Sequence, residues 1–249
     1  MLPFAAMLPE ERWRAGAAAG LTLAVIAVWQ GVQVVVLAAC AAVLALRGES
    51  LAGMGWMARY LGLLLALSTL VAAPVGIALT IFFIRLRRGL PVREALGLRR
   101  PTLRHALLWT LALVLFLAAY DLAARALGRP VSPEVMVDSY RTSVWPPLFW
   151  LAVAIAAPLF EELLFRGFLL PSLAASRLGA AGAVGLSSLL FAALHLQYDL
   201  FDMAGVFLLG ALFAAARLAS GSTLLTIGLH VLTNVLALVQ LAQGVGEVP

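Results

Sequence analysis

The distribution of apolar and polar positions is the first thing this chain discloses. Uninterrupted apolar runs recur along its length, separated by short stretches that concentrate its glycine, proline and charge. A membrane-crossing helix needs about 20 such residues. The runs predict crossings at 15–46, 54–84, 106–127, 147–170, 179–196, 203–219 and 222–242. That makes seven. The first two are long enough to tilt, bend or include an interfacial piece, so the range is six to eight. Between the second and third crossing lies RLRRGLPVREALGLRRPTLRH, and between the third and fourth a polar connector, GRPVSPEVMVDSYRTSVWPP, whose Trp145 suits a membrane interface.

Composition agrees with a membrane chain. Hydrophobic residues make up 63% of the 249 positions and charged ones 12%, about half the charge of a soluble domain. The expected fold is all-α and polytopic, one integral membrane domain. Its N-terminal helices and basic loop cover 1–105 and a helical core covers 106–249.

All 17 basic side chains are arginine, which reflects codon usage in a GC-rich, prokaryotic genome. The formal charge of +5 is no nucleic-acid signal, because seven arginines lie within 85–104 beside an apolar run. Such a cluster faces the cytoplasm and its anionic lipid. Arg12, Arg14, Arg177 and Arg217 then share that side, the other receives Asp199, Asp202, Glu247, Arg47, Arg59, Arg129 and Arg141, and the N-terminus is cytoplasmic. Cys40 cannot form an intrachain disulfide. The lipoprotein-like box before it follows an apolar run too long for a signal peptide, and that run continues past it. Gly16 and Gly20, four apart, would let helices approach closely.

Within the last four crossings the costly side chains are Glu161, Glu162, Arg166, His195, His230 and Asn234. A charge at mid-membrane costs at least ~2.5–3.5 kcal/mol, so these groups face inward and find partners. Glu162 and Arg166 are four apart, on one helical face, and can pair. Glu161 is turned about 100° away. The carboxylate left over must take up a proton, meet a protonated histidine or bind a metal. Phe191 with His195, and His230 with Asn234, supply one face each of two further helices. A carboxylate, two imidazoles and an amide suit hydrolysis: a base for water, a holder of that water, and donors to an oxyanion. The alternatives are a structural ion pair, histidines and an asparagine serving as interhelical ties, and Phe191 as packing. His195 falls near the outer end of its helix, a position from which straight helices would not bring it to the other two.

E-E-x-x-x-R (Glu161, Glu162, Arg166), F-x-x-x-H (Phe191, His195) and H-x-x-x-N (His230, Asn234) occur in this order in separate crossings. Together they resemble the three motifs of the CPBP family, the CAAX proteases and bacteriocin-processing enzymes. The resemblance covers about residues 145–242. It implies an intramembrane endopeptidase with its active site in a cavity between helices, acting on membrane-associated protein or peptide substrates. Glu161 would be the general base and His195 the holder of its water. His230 and Asn234 would bind the oxyanion, with Glu162, Arg166 and Phe191 in support. It also leaves open a divalent metal such as zinc, on His195, His230 and Glu161, or no metal at all. The H-E-x-x-H signature is absent. Tyr120-Asp121 imitates half of an aspartyl protease without its partner motif, and Ser187-Ser188 faintly imitates a rhomboid serine; packing accounts for the serines. The competing class is a non-catalytic membrane scaffold or immunity-type protein, which keeps the fold and binds partners.

Overall fold

The structure is a computed structural model and describes residues 13–87, 89 and 91–244. Arg12 and Glu247, used above in assigning sides, lie outside the described residues. Seven apolar helices carry the fold: α1 (Ala15–Leu46), α2 (Leu61–Leu86), α3 (Leu103–Ala126), α4 (Pro146–Ala174), α5 (Gly179–His195), α6 (Leu200–Ser220) and α7 (Thr223–Gly244). Six are long and apolar enough to cross a membrane and α5 is shorter. No strand occurs among the described residues. The chain is an all-α polytopic membrane protein. The second expected crossing divides, with a short helix Gly55–Arg59 preceding α2.

The alternation of the helices is fixed by ties at both ends of the bundle. At one end the basic loop lies against the α6–α7 turn. Arg99 Nε donates to Gly221 O at 2.7 Å, and Thr223 Oγ1 donates to Leu96 O at 2.5 Å. Gly221 closes α6 with φ +68°, a left-handed cap that a side chain would strain. At the opposite end Arg129, after α3, pairs with Asp199, before α6. These contacts put residues 91–102 and turn 221–222 on one side and residues 127–145 and 196–199 on the other, as alternating crossings require.

At the centre stands α4. Every residue from Phe160 to Leu173 is buried, which explains an apolar sequence with no polar stripe: a helix enclosed on all sides needs none. α1 and α2 pack directly on it. Trp29 stacks on Phe160 with ring centroids 5.1 Å apart. Gly76 admits the same phenyl ring where a Cβ would come within 2.3 Å of it. The motif-free N-terminal helices and the motif-bearing helices therefore share one core.

One expectation fails. Among the described residues, nothing lies within 4 Å of where a Cβ on Gly16 or Gly20 would stand. α1 instead packs through the opposite face, burying Ala18, Thr22 and Val25, so among the described residues this glycine pair brings no helix close.

Candidate active site

Two stretches of α4, Leu151–Ala156 and Leu163–Leu169, are wound as π-helix. They flank the glutamate pair, a common placement for this local widening. Proline explains the first. In this winding Ala157 N–H donates to Ala152 O, five residues back. The next bond in register would run from residue 158 to Val153 O, but residue 158 is proline and has no N–H. Asn234 Nδ2 supplies the missing donor, reaching Val153 O at 2.8 Å. One N–H of the Asn234 amide is therefore spent on the backbone of α4.

The glutamates and His230 form one buried array. Arg166 NH1 donates to Glu162 Oε1 at 3.0 Å, as the i,i+4 spacing predicts. His230 Nδ1 meets the same oxygen, also at 3.0 Å. His230 Nε2 faces Glu161 Oε2 at 3.7 Å, an ion-pair distance rather than a hydrogen bond. His230 thus stands between the two carboxylates, and the leftover Glu161 has a histidine as its neighbour. Glu161 keeps 8% of its surface exposed and Glu162 none, so of the two carboxylates only Glu161 keeps any accessible surface.

Behind them Arg166, fully buried, lies 4.4 Å from the Phe191 ring centroid and donates through NH2 to Gly210 O at 3.0 Å. A Cβ on Gly210 would come within 3.3 Å of that guanidinium. The glycine lets α6 approach closely enough for its backbone to take this bond, a contribution that sequence reading missed.

His195 ends α5 in a short 3-10 turn. Its Nδ1 lies 3.1 Å from the carbonyl oxygen of Phe191. A carbonyl only accepts, so Nδ1 carries hydrogen and, in the neutral ring, Nε2 presents a lone pair. Among the described residues His195 makes no direct bond to Glu161 or His230. The Phe191 ring bridges instead, with centroids 5.2 Å from His195 and 5.9 Å from His230. Phe191 touches Arg166 and both imidazoles, more than the packing role its sequence suggests.

Metal binding fits poorly. Among the described residues no three His, Cys, Asp or Glu side chains gather closely enough to hold an ion. Among the described residues Glu161, His195 and His230 do not form a three-donor set, and the Phe191 ring contacts both imidazoles.

The remaining polar motifs are structural. Tyr120 donates to Asp202 Oδ1 at 2.5 Å, and Gln240 donates to Asp121 Oδ2 at 3.0 Å. Both tie α3 to neighbouring helices. Ser187 turns back to Val184 O and Ser188 is buried beside Gly210, in keeping with small-residue packing. A second residue missed by sequence reading is Tyr198, whose ring packs on His195 with centroids 5.5 Å apart. Its place three positions after a motif histidine was the available signal.

Comparison with known proteins follows this geometry. Residues 143–236 match the family model described as type II CAAX prenyl endopeptidase Rce1-like, a segment holding all three motifs. A curated Escherichia coli protein, named only as an uncharacterized 24.3 kDa protein, is 38% identical over 126 residues. That alignment takes in 47% of this chain and 55% of the relative, so the chain spans about half the relative's length. No solved structure matches the chain. By this match, the segment 143–236 is similar to the type II CAAX prenyl endopeptidase Rce1-like family, in agreement with the CPBP resemblance that the three motifs carry.

Proposed function

We propose that this chain is an intramembrane endopeptidase that hydrolyses peptide bonds of membrane-associated proteins or peptides with water activated by Glu161. The observation that carries the reading is the buried array of Arg166, Glu162, His230 and Glu161. Arg166 answers one of its two carboxylates. A single proton held between Glu161 Oε2 and His230 Nε2 neutralises the other, whichever atom carries it. With the proton on His230, Glu161 is a free base next to a proton reservoir. That arrangement suits removal of a proton from water and its return to a leaving amine.

The orientation of His195 supports its assigned part. With hydrogen on Nδ1, its Nε2 lone pair can accept one O–H of a water whose other O–H points to Glu161, leaving the water lone pair to attack a carbonyl. Glu162 and Arg166 hold His230 in place. No step is routed through a metal, because the donors do not converge. The arginine-rich loop supports a cytoplasmic N-terminus in a prokaryotic inner membrane, where the lipid bilayer and membrane-bound substrates are the partners and nucleic acid is not.

The test is cleavage of candidate membrane peptides in proteoliposomes by wild type, Glu161→Gln, His195→Ala and His230→Ala. Loss of cleavage in all three folded variants is expected; wild-type rates in Glu161→Gln would end the proposal. A scaffold would lose no partner binding in these variants.

A further inference from the structure

Most hydrogen-bond donors of the site are already engaged. In its neutral form His195 offers a lone pair at Nε2. His230 spends Nδ1 on Glu162 and turns Nε2 to Glu161. Asn234 has already given one N–H to Val153 O. A tetrahedral intermediate of peptide hydrolysis concentrates negative charge on the former carbonyl oxygen, and preorganised hydrogen-bond donors there supply a large share of catalysis.

Tyr198 brings a further donor beside His195. It belongs to the turn HLQYD between α5 and α6, in which Leu196, Gln197 and Asp199 are exposed while His195 and Tyr198 are partly buried. Two fixed points hold the turn. Tyr198 N–H donates to His195 O at 2.9 Å, which folds the phenol ring back over the imidazole. Asp199 caps α6 by accepting from Phe201 N at 2.9 Å and Asp202 N at 3.1 Å, and its other oxygen is tied to Arg129. The ring therefore has a set position against His195. Its hydroxyl makes no hydrogen bond to any described residue, so the donor is unspent. Burial first, and then the field of Glu161 and of Asp202, raise the titration of this phenol and keep its proton on. A neutral O–H is the form that can approach an oxyanion next to a carboxylate base.

We propose that Tyr198 is a further catalytic residue, whose phenol O–H donates a hydrogen bond to the scissile carbonyl oxygen as it becomes an oxyanion, opposite the water held by Glu161 and His195. The inference rests on the peptidase reading above. No bond to Tyr198 forms or breaks: the water oxygen adds to the carbonyl carbon, the carbonyl electron pair moves to oxygen, and the phenol keeps its proton while that charge lasts.

Two replacements at position 198, compared with Glu161→Gln in proteoliposomes, test it. Tyr198→Phe keeps the ring on His195 and removes the donor. Its expected kcat is about 100-fold lower, with KM and thermal midpoint as in wild type. A ring-difluorinated tyrosine at 198 keeps the donor but loses its proton at lower pH. The expected kcat profile then shows an alkaline limb moved toward neutrality that wild type and Tyr198→Phe lack. Wild-type kcat in Tyr198→Phe, with cleavage abolished in Glu161→Gln, overturns the role of Tyr198 and leaves the peptidase reading standing. A rise in KM or a fall in thermal midpoint that accounts for the lost activity, with no moved limb in the fluorinated protein, also overturns it. Wild-type cleavage by Glu161→Gln, or no cleavage by wild type, overturns both together.

Discussion

The bond between Asn234 and Val153 gives the sharpest quantitative test, because proline makes it conditional. Asn234→Ala removes the amide that serves Val153 O, a carbonyl without a helical donor at membrane depth. Side-chain bonds between membrane helices average ~0.6 kcal/mol and reach ~1.7. A buried acceptor left unsatisfied costs about 1–3 kcal/mol. The overlap of these ranges sets the expectation near 1.5 kcal/mol, roughly tenfold in the folding equilibrium. Pro158→Ala restores a backbone N–H. Whether α4 then keeps its wide winding or relaxes to α-helix, Val153 O gains a partner, from residue 158 or from residue 157. In that background Asn234→Ala should cost about 0.5 kcal/mol or less, a coupling of about 1 kcal/mol. Reversible unfolding in mixed micelles, followed by circular dichroism for the four proteins of the cycle, measures it. Equal costs in both backgrounds, within the ~0.4 kcal/mol expected of independent sites, would refute the account of Asn234 as donor to an orphaned carbonyl.

Three further outcomes follow from the same geometry. Glu162→Gln should destabilise the fold by about 3–5 kcal/mol, the cost of breaking a buried pair. Glu161→Gln should change stability far less, and unfolding titrations of the two variants make the comparison. Gly210→Ala presses a methyl against Arg166 and Phe191 and should cost about 1–3 kcal/mol, with loss of cleavage; a variant as stable and active as wild type contradicts the close approach of α6. Asp199 is held below the usual aspartate range, first by the backbone N–H of Asp202, with Arg129 also contributing. A depressed folded pKa gives stability that is present above the unfolded value, about 3.9, and lost as pH falls through the folded one. The thermal midpoint of wild type should therefore exceed that of Asp199→Ala at pH 6, with the gap narrowing below about pH 4.

Seven apolar runs were legible as helices because a membrane leaves little choice: only a segment satisfying its own backbone survives there. The Glu162–Arg166 pair was legible from its spacing of four, which puts both side chains on one helical face. His230 as neighbour of Glu161 could be inferred only as one of three ways to answer a charge, since helix order does not fix which helices touch. Asn234 reads as interhelical glue or as an oxyanion donor until the winding of α4 is known, although Pro158 already announced a carbonyl in need. Gly210 and Tyr198 carry no motif. Their parts depend on distances between helices, which sequence periodicity does not contain.

The contact of the basic loop with the start of α7 has a consequence for heredity. Thr223 is held by Leu96 O and by Arg217, and His230 follows seven residues later, about 10 Å along a rigid helix. A slip of one residue at that anchor would swing His230 by about 100°, away from Glu162. A loop that bears none of the motifs thus sets the rotation of a helix that bears one. Recombination that joined the first hundred residues of one relative to the motif segment of another would part the anchor from the helix it aligns. The two should therefore be inherited as a block, and hybrid proteins should regain activity when residues 91–102 come from the same parent as α7.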